Sequence, residues 1–142
     1  MRIIGLVIIF VLLLMGVMNG GSLGNVIDVP SVLIVVGLTL GFGLQGKIPF
    51  GMMMKSFFGG AVQGDDLRLV VLGWQHLRTY VMVSGVLGTF VGMINMFHAL
   101  DVYDALLPGT ATALITTFYA TVLSYVVFLP LQHQLEKQLE DV

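Results

Sequence analysis

Cysteine is absent from this sequence and charge is scarce: only 10% of its 142 residues are Asp, Glu, Lys or Arg. The first absence excludes disulfides and thiolate metal sites. The second, with 57% hydrophobic residues and a mean hydropathy of +1.00, excludes an ordinary soluble domain and implies an integral membrane protein. No basic cluster occurs anywhere, so nucleic acid is not an expected partner. Also missing are metal-ligand clusters, nucleotide-binding glycine loops and catalytic triads, so neither an enzyme nor a cofactor is expected. The apolar start, Ile3–Met18, runs into Asn-Gly-Gly with no small-x-small cleavage site, and is read as a retained span.

What the chain does have is apolar runs. A bilayer core of about 30 Å needs about 20 helical residues. Four stretches supply them or nearly so: about 3–18, 30–44, 80–100 and 107–131. The expected fold is therefore all-α, a single four-span membrane domain over residues 1–142. Asn19 to Val29 is rich in glycine and asparagine and should form a turn, with Pro30 suited to the first turn of the next helix. Pro108 stands likewise before the fourth span. Gln45 to Thr79 is the long connection, and a tail follows from Gln132. All six basic residues, Arg2, Lys47, Lys55, Arg68, Arg78 and Lys137, fall on one side of such a threading. The opposite turns carry only Asp28, Asp101 and Asp104, which places both termini and the long loop in the cytoplasm.

Within that loop, the glycine-broken Ile48–Val62 is expected to lie at the membrane interface. From Asp65 the sequence DDLRLVVLGWQHLRTY reads as a helix continuing into the third span, with Trp74 and Tyr80 at headgroup depth. His76 is expected to be solvated, and His98 to be interfacial without a transfer role. Leu131, Leu135, Leu139 and Val142 form a stripe that would bundle with other copies or rest on the membrane. Pro130 would act as a hinge, bending the exit of the fourth span.

The fourth span is unusually rich in hydroxyls: Thr110, Thr112, Thr116, Thr117, Tyr119, Thr121, Ser124 and Tyr125. At about 100° per residue, Thr110, Thr117, Thr121 and Ser124 share one face, and Thr112, Thr116 and Tyr119 nearly the opposite one. A helix polar on two sides is expected between a neighbour and a conduit, although single hydroxyls also bond to their own helix carbonyls. In the third span Gly85, Gly88 and Gly92 should admit close helix packing, as should Gly37 and Gly41 in the second. No Asp, Glu, Lys or Arg lies inside any span. Ion-coupled membrane machines generally need an ionisable group at that depth. If this chain conducts ions, the titrating acid must come from another polypeptide. A self-contained small transporter is disfavoured on the same ground, and a non-conducting membrane scaffold is the alternative.

Three segments carry a resemblance: GGSLGNVIDVPSVLIVVG at Gly20–Gly37, SGVLGTFVGM at Ser84–Met93 and PGTATALITTFYATVLSYVVFLP at Pro108–Pro130. Together they resemble the MotA/TolQ/ExbB proton channel family, and in particular its MotA- and PomA-type stator subunits. The resemblance implies a bacterial inner-membrane motor subunit, with five copies surrounding two single-span MotB- or ExbD-like partners whose membrane Asp carries the ion. Spans three and four would then line a central pore in the ring. It implies Thr89, Thr116 and Thr117 as ion-path hydroxyls, Tyr119 as their neighbour and Pro130 as the inner proline of the fourth helix. Protons are the expected ion on family frequency, with sodium the alternative. Two departures stand out. The family proline at the inner start of the third span would fall near Met82, where this sequence has none, and the large cytoplasmic domain between spans two and three is replaced by about 35 residues. Work is therefore expected to leave through the partner, not by pushing a flagellar rotor.

Overall fold

A computed structural model describes residues 2–19, 26–98 and 103–140. Among these residues every regular element is helical: α1 Arg2–Asn19, α2 Val29–Gln45, α3 Phe50–Phe57, α4 Asp65–His98, α5 Tyr103–Val122 and α6 Leu129–Glu140, with a π-helical turn at Leu123–Phe128 between the last two. Most of the expected turn after α1, Asp101 and Val142 lie outside the described residues, as do the side chains of His98, Asp104 and Thr112.

Local chemistry explains the boundaries. Asp28 caps α2: its carboxylate accepts the Ser31 N–H at 2.9 Å and the Ser31 hydroxyl. Pro30, lacking an N–H, costs nothing in that first turn. The helix ends where Lys47 takes a left-handed conformation, φ 51. Gly46 is required there, because a Cβ would come within 2.6 Å of the Tyr80 hydroxyl. Gly59 and Gly64, at φ 79 and 63, carry the chain from α3 to α4, whose first turn holds Asp65 and Asp66 against the positive end of the helix dipole.

α4, with 34 residues, is about 51 Å long at 1.5 Å per residue. It exceeds the roughly 30 Å hydrocarbon core by about 20 Å. α4 and the run from α5 through α6 are long and apolar enough to cross a membrane, while α1 and α2 are apolar but shorter. α4 and α5 form an antiparallel pair with glycines at the seam. A Cβ on Gly85 would collide with that of Ala120, one on Gly88 would reach Thr116 at 2.8 Å, and one on Gly92 the Ala113 backbone at 2.7 Å. α2 lies across this pair, with Val35 buried against Val81 and Ala120. No described residue of α1 is buried, and Phe10, Leu12 and Met15 are each more than half exposed.

Several expectations are corrected here. Trp74 is not an interfacial anchor. It is 5% exposed, enclosed by Phe57 and Phe128 at centroid distances of 6.4 and 5.5 Å. The 48–62 stretch contains a short two-faced helix: α3 drives Met53, 2% exposed, into a second core with Leu67, Val70 and Trp74, and leaves Met54 and Phe57 about half exposed. The Leu131, Leu135 and Leu139 stripe covers the same core within the chain, so other copies are not needed to bury it. Gly37 and Gly41 have nothing within 4 Å and make no helix contact within the chain. They lie off the α2 stripe of Ser31, Val35, Thr39 and Gly43 that turns inward. The departure from α geometry near Pro130 lies upstream, in the π turn, where the Leu129 N–H reaches back to the Ser124 carbonyl.

The glycine seam gives a direct test. Gly85→Val should destabilise the folded chain by about 1–3 kcal/mol or more through overpacking, whereas Gly37→Val should change stability by less than about 0.5 kcal/mol. Thermal unfolding of the two variants in detergent, followed by circular dichroism, checks this order.

Candidate functional site: a hydroxyl seam on the α4–α5 pair

The glycine faces of α4 point inward, which leaves Thr89 at the rim of the contact. Its hydroxyl meets that of Thr117 directly and lies 3.0 Å from both the Gly85 and Ala113 carbonyl oxygens. One hydroxyl has one proton, so Thr89 donates to only one of these three oxygens at a time, and either threonine can donate in the Thr89–Thr117 contact. Thr117 is exposed, and one turn on Thr121, also exposed, donates to the Thr117 carbonyl at 2.8 Å. These three threonines form an uncharged polar seam open on the outside of the helix pair. It is a wall without an opposite side, and only another helix or another copy can close it.

Other expected path residues lie elsewhere. Thr116 is fully buried; it donates to the Ala113 carbonyl at 3.0 Å and turns its methyl toward Gly88. Neighbouring residues on a helix point about 100° apart, so Thr116 cannot share the seam with Thr117. Tyr119 is also removed from the seam. Its hydroxyl donates to the Val26 carbonyl and accepts the Asp28 N–H at 3.0 Å, tying the start of α2 to α5. Ser124, expected on the Thr117 face, is fully buried inside the π turn with no hydrogen bond to its hydroxyl.

A second polar set lies within the three-helix contact. Thr39 donates either to its own helix at Val35, 2.6 Å, or across to Ser84 at 3.2 Å, and Ser84 donates to the Tyr80 carbonyl at 2.8 Å. Sequence reasoning missed Thr39. Its signal was the four-residue spacing Ser31, Val35, Thr39, Gly43, which marks one helix face.

Where α6 emerges, the seam ends in charged and amide groups. Arg78 donates to the Gln132 side-chain oxygen Oε1 at 3.2 Å and lies 5.7 Å from the Tyr125 ring centre. Glu136 accepts from Gln132 at 2.7 Å and Gln75 at 3.1 Å. The Gln132 bond is the main cause holding the Glu136 carboxyl below its ordinary range. Partial burial opposes it, and the Gln75 bond and the fields of His133 and Arg78 add to it. Among the described residues no cluster of His, Asp or Glu could hold a metal. A separate cleft of about 540 Å³, bordered by Phe57, Trp74 and Gln134, lies between α3, α4 and α6, away from the hydroxyls.

Comparison with known proteins centres on this half of the chain. The family model described as the MotA/TolQ/ExbB proton channel family matches residues 72–142, which include the whole seam. Motility protein A of Aquifex aeolicus is 26% identical in an alignment of 205 positions, covering 95% of this chain and 81% of the relative. That alignment is longer than the 142-residue chain, so the relative carries segments this chain lacks. Chemotaxis protein PomA of Vibrio alginolyticus is 41% identical over 51 residues, covering 36% of this chain and 20% of the relative.

Two outcomes follow from the hydrogen bonds. Tyr119→Phe should cost about 1–3 kcal/mol, because it leaves the Asp28 N–H and Val26 carbonyl without their partner; thermal unfolding measures the loss. The extra strength that the Glu136 charge gives its bonds from Gln132 and Gln75 follows the sign of a lowered carboxyl pKa: it is fully present above the ordinary carboxyl range and is lost as pH falls through the lowered value. The protection factors of the α6 amides, with the intrinsic pH dependence of exchange divided out, should therefore be unchanged from neutral to mildly acid pH and fall only below that range, and Glu136→Gln should remove the acid-induced step.

Proposed function

The chain belongs to the MotA/TolQ/ExbB proton channel family, and from that premise we propose that it is the channel-wall subunit of an ion-driven membrane motor. Several copies, five by family resemblance, surround a single-span MotB- or ExbD-like partner, two copies by the same resemblance, whose membrane Asp takes up and releases the ion. α4 and α5 face that partner through Thr89 and Thr117. The four apolar segments, carried by α1, α2, α4 and α5, cross the inner membrane with both termini in the cytoplasm. Protons are the permeant ion, with sodium the alternative, and force leaves through the partner.

The observation that carries this function is the Thr89–Thr117 pair: two hydroxyls at the rim of a glycine-packed helix contact, open to a neighbour. Polar groups so placed in hydrocarbon call for protein or water beside them. They bind a cation only as secondary ligands, so the charge that neutralises it has to come with the partner. A passive scaffold would need Gly85, Gly88 and Gly92 free to grip another protein. In this chain α5 already occupies all three.

Membrane vesicles from cells making the chain with its genomic neighbour provide the test. Thr117→Val preserves shape and removes the hydroxyl; it should reduce cation flux by at least tenfold while the complex still assembles. Undiminished flux in an assembled Thr117→Val complex, or a neighbour without an acid-bearing apolar helix, would sink the function.

A further inference from the structure

The polar groups at the α6 end lie on the continuation of the hydroxyl seam, and the π turn is what puts them there. Thr117 and Glu136 are nineteen positions apart. In an unbroken α-helix that spacing would leave them about 100° out of phase. A π turn accommodates one extra residue, and Leu123–Phe128 is such a turn. It removes the phase difference and returns Glu136 to the Thr117 face. On α4, Gln75 lies fourteen positions before Thr89, about 21 Å along the helix and within about 40° of the same face. The contacts run down this face in order: Thr89 with Thr117, Arg78 with Tyr125, Arg78 with Gln132, and Gln75 with Glu136.

Two features of Glu136 exceed what is needed to fasten α6. Both amide donors land on the same oxygen, Oε1, and Oε2 is left uncommitted. Arg78, meanwhile, places a fixed positive charge on the seam, which by itself would repel a cation. The groups that face Glu136 are Gln75 and Arg78 from α4 and Gln132 and His133 from α6. Among the described residues no other carboxylate is in contact with it.

We propose that Glu136 is the cation-concentrating carboxylate at this mouth of the seam, offsetting Arg78 and drawing the permeant cation to Oε2. The assignment rests on the hydroxyl seam being the ion path. An ionised group at the end of a polar path raises the local concentration of counter-ions, so its removal alters how much cation is needed to drive flux from that side. It leaves the rate at saturation alone.

Glu136→Gln is the discriminating variant, since its carbonyl oxygen still accepts from Gln75 and Gln132 and only the charge is lost. Flux is measured in right-side-out and inverted membrane vesicles carrying the assembled complex, with protons read by a pH dye and sodium by radiolabel. From the α6 side, Glu136→Gln should raise the half-saturating concentration of the permeant cation by roughly tenfold, with the maximum flux and the opposite side unchanged. Glu136→Asp should behave as the unaltered chain. The proposal is overturned if Glu136→Gln moves neither side, or if it lowers maximum flux equally from both, as loss of a fastening would. Thr117→Val separates the two levels. If it abolishes flux while Glu136→Gln changes nothing, Glu136 alone is misassigned; if it leaves flux intact, the seam is not the path and both fail.

Discussion

The structure depends on the close approach of α4 and α5. Gly85, Gly88 and Gly92 leave no room for a Cβ, because Ala113, Thr116 and Ala120 of the opposing helix occupy that space. In a membrane, where lipid competes for every apolar side chain, such small-residue contact is a main source of helix adhesion. It also sets rotation. With the glycines turned inward, Thr89 must stand at the rim, and with Ala113, Thr116 and Ala120 facing them, Thr117 and Thr121 must face outward. The site follows from the packing of the pair.

Below this contact the helix pair continues well past a hydrocarbon core's thickness, and a different chemistry holds it. Ile48, Met53, Trp74 and Leu135 build an aqueous-type core from α3, α4 and α6. The π turn joins the two regimes. It lets the face of α5 that packs on α4 pass smoothly into the Gln132 and Leu135 face of α6, although the spacing in sequence is one residue too long for an α-helix. The wide turn also has a cost: Ser124 is buried there with its hydroxyl unpaired, a destabilising arrangement in a dry interior.

The seam itself carries no ionisable group between Thr89 and Arg78. Placing a charge at membrane depth is expensive, and under the function proposed above the acid would be supplied by the partner's helix. The hydroxyls offer weak, uncharged ligation, suited to an ion that must be released again. This chain lacks segments that its Aquifex relative carries within their alignment, and its loop is filled instead by α3 folded onto α4. The projecting helices are thus braced by their own chain.

Hydropathy and spacing by themselves determined that the chain is helical and membrane-bound, that α4 runs unbroken from Asp65, and that Gly85, Gly88 and Gly92 share a packing face. These properties depend on composition and on the 3.6-residue period, which a single strand of text displays. The helical period already set Thr116 and Thr117 on different faces, but it left both as candidate path residues, and only the docked α4 decided which face was buried and which was exposed. Tyr119 was likewise drawn to Val26 and Asp28 by a contact spanning more than ninety residues, which no local pattern records. Trp74 fits an interface equally well, and it was the burial of Met53 and Leu135 around the indole that decided. The tertiary structure alone also decided that Glu136 shares a face with Thr117, because one π turn shifts every residue after it by about a quarter of a revolution.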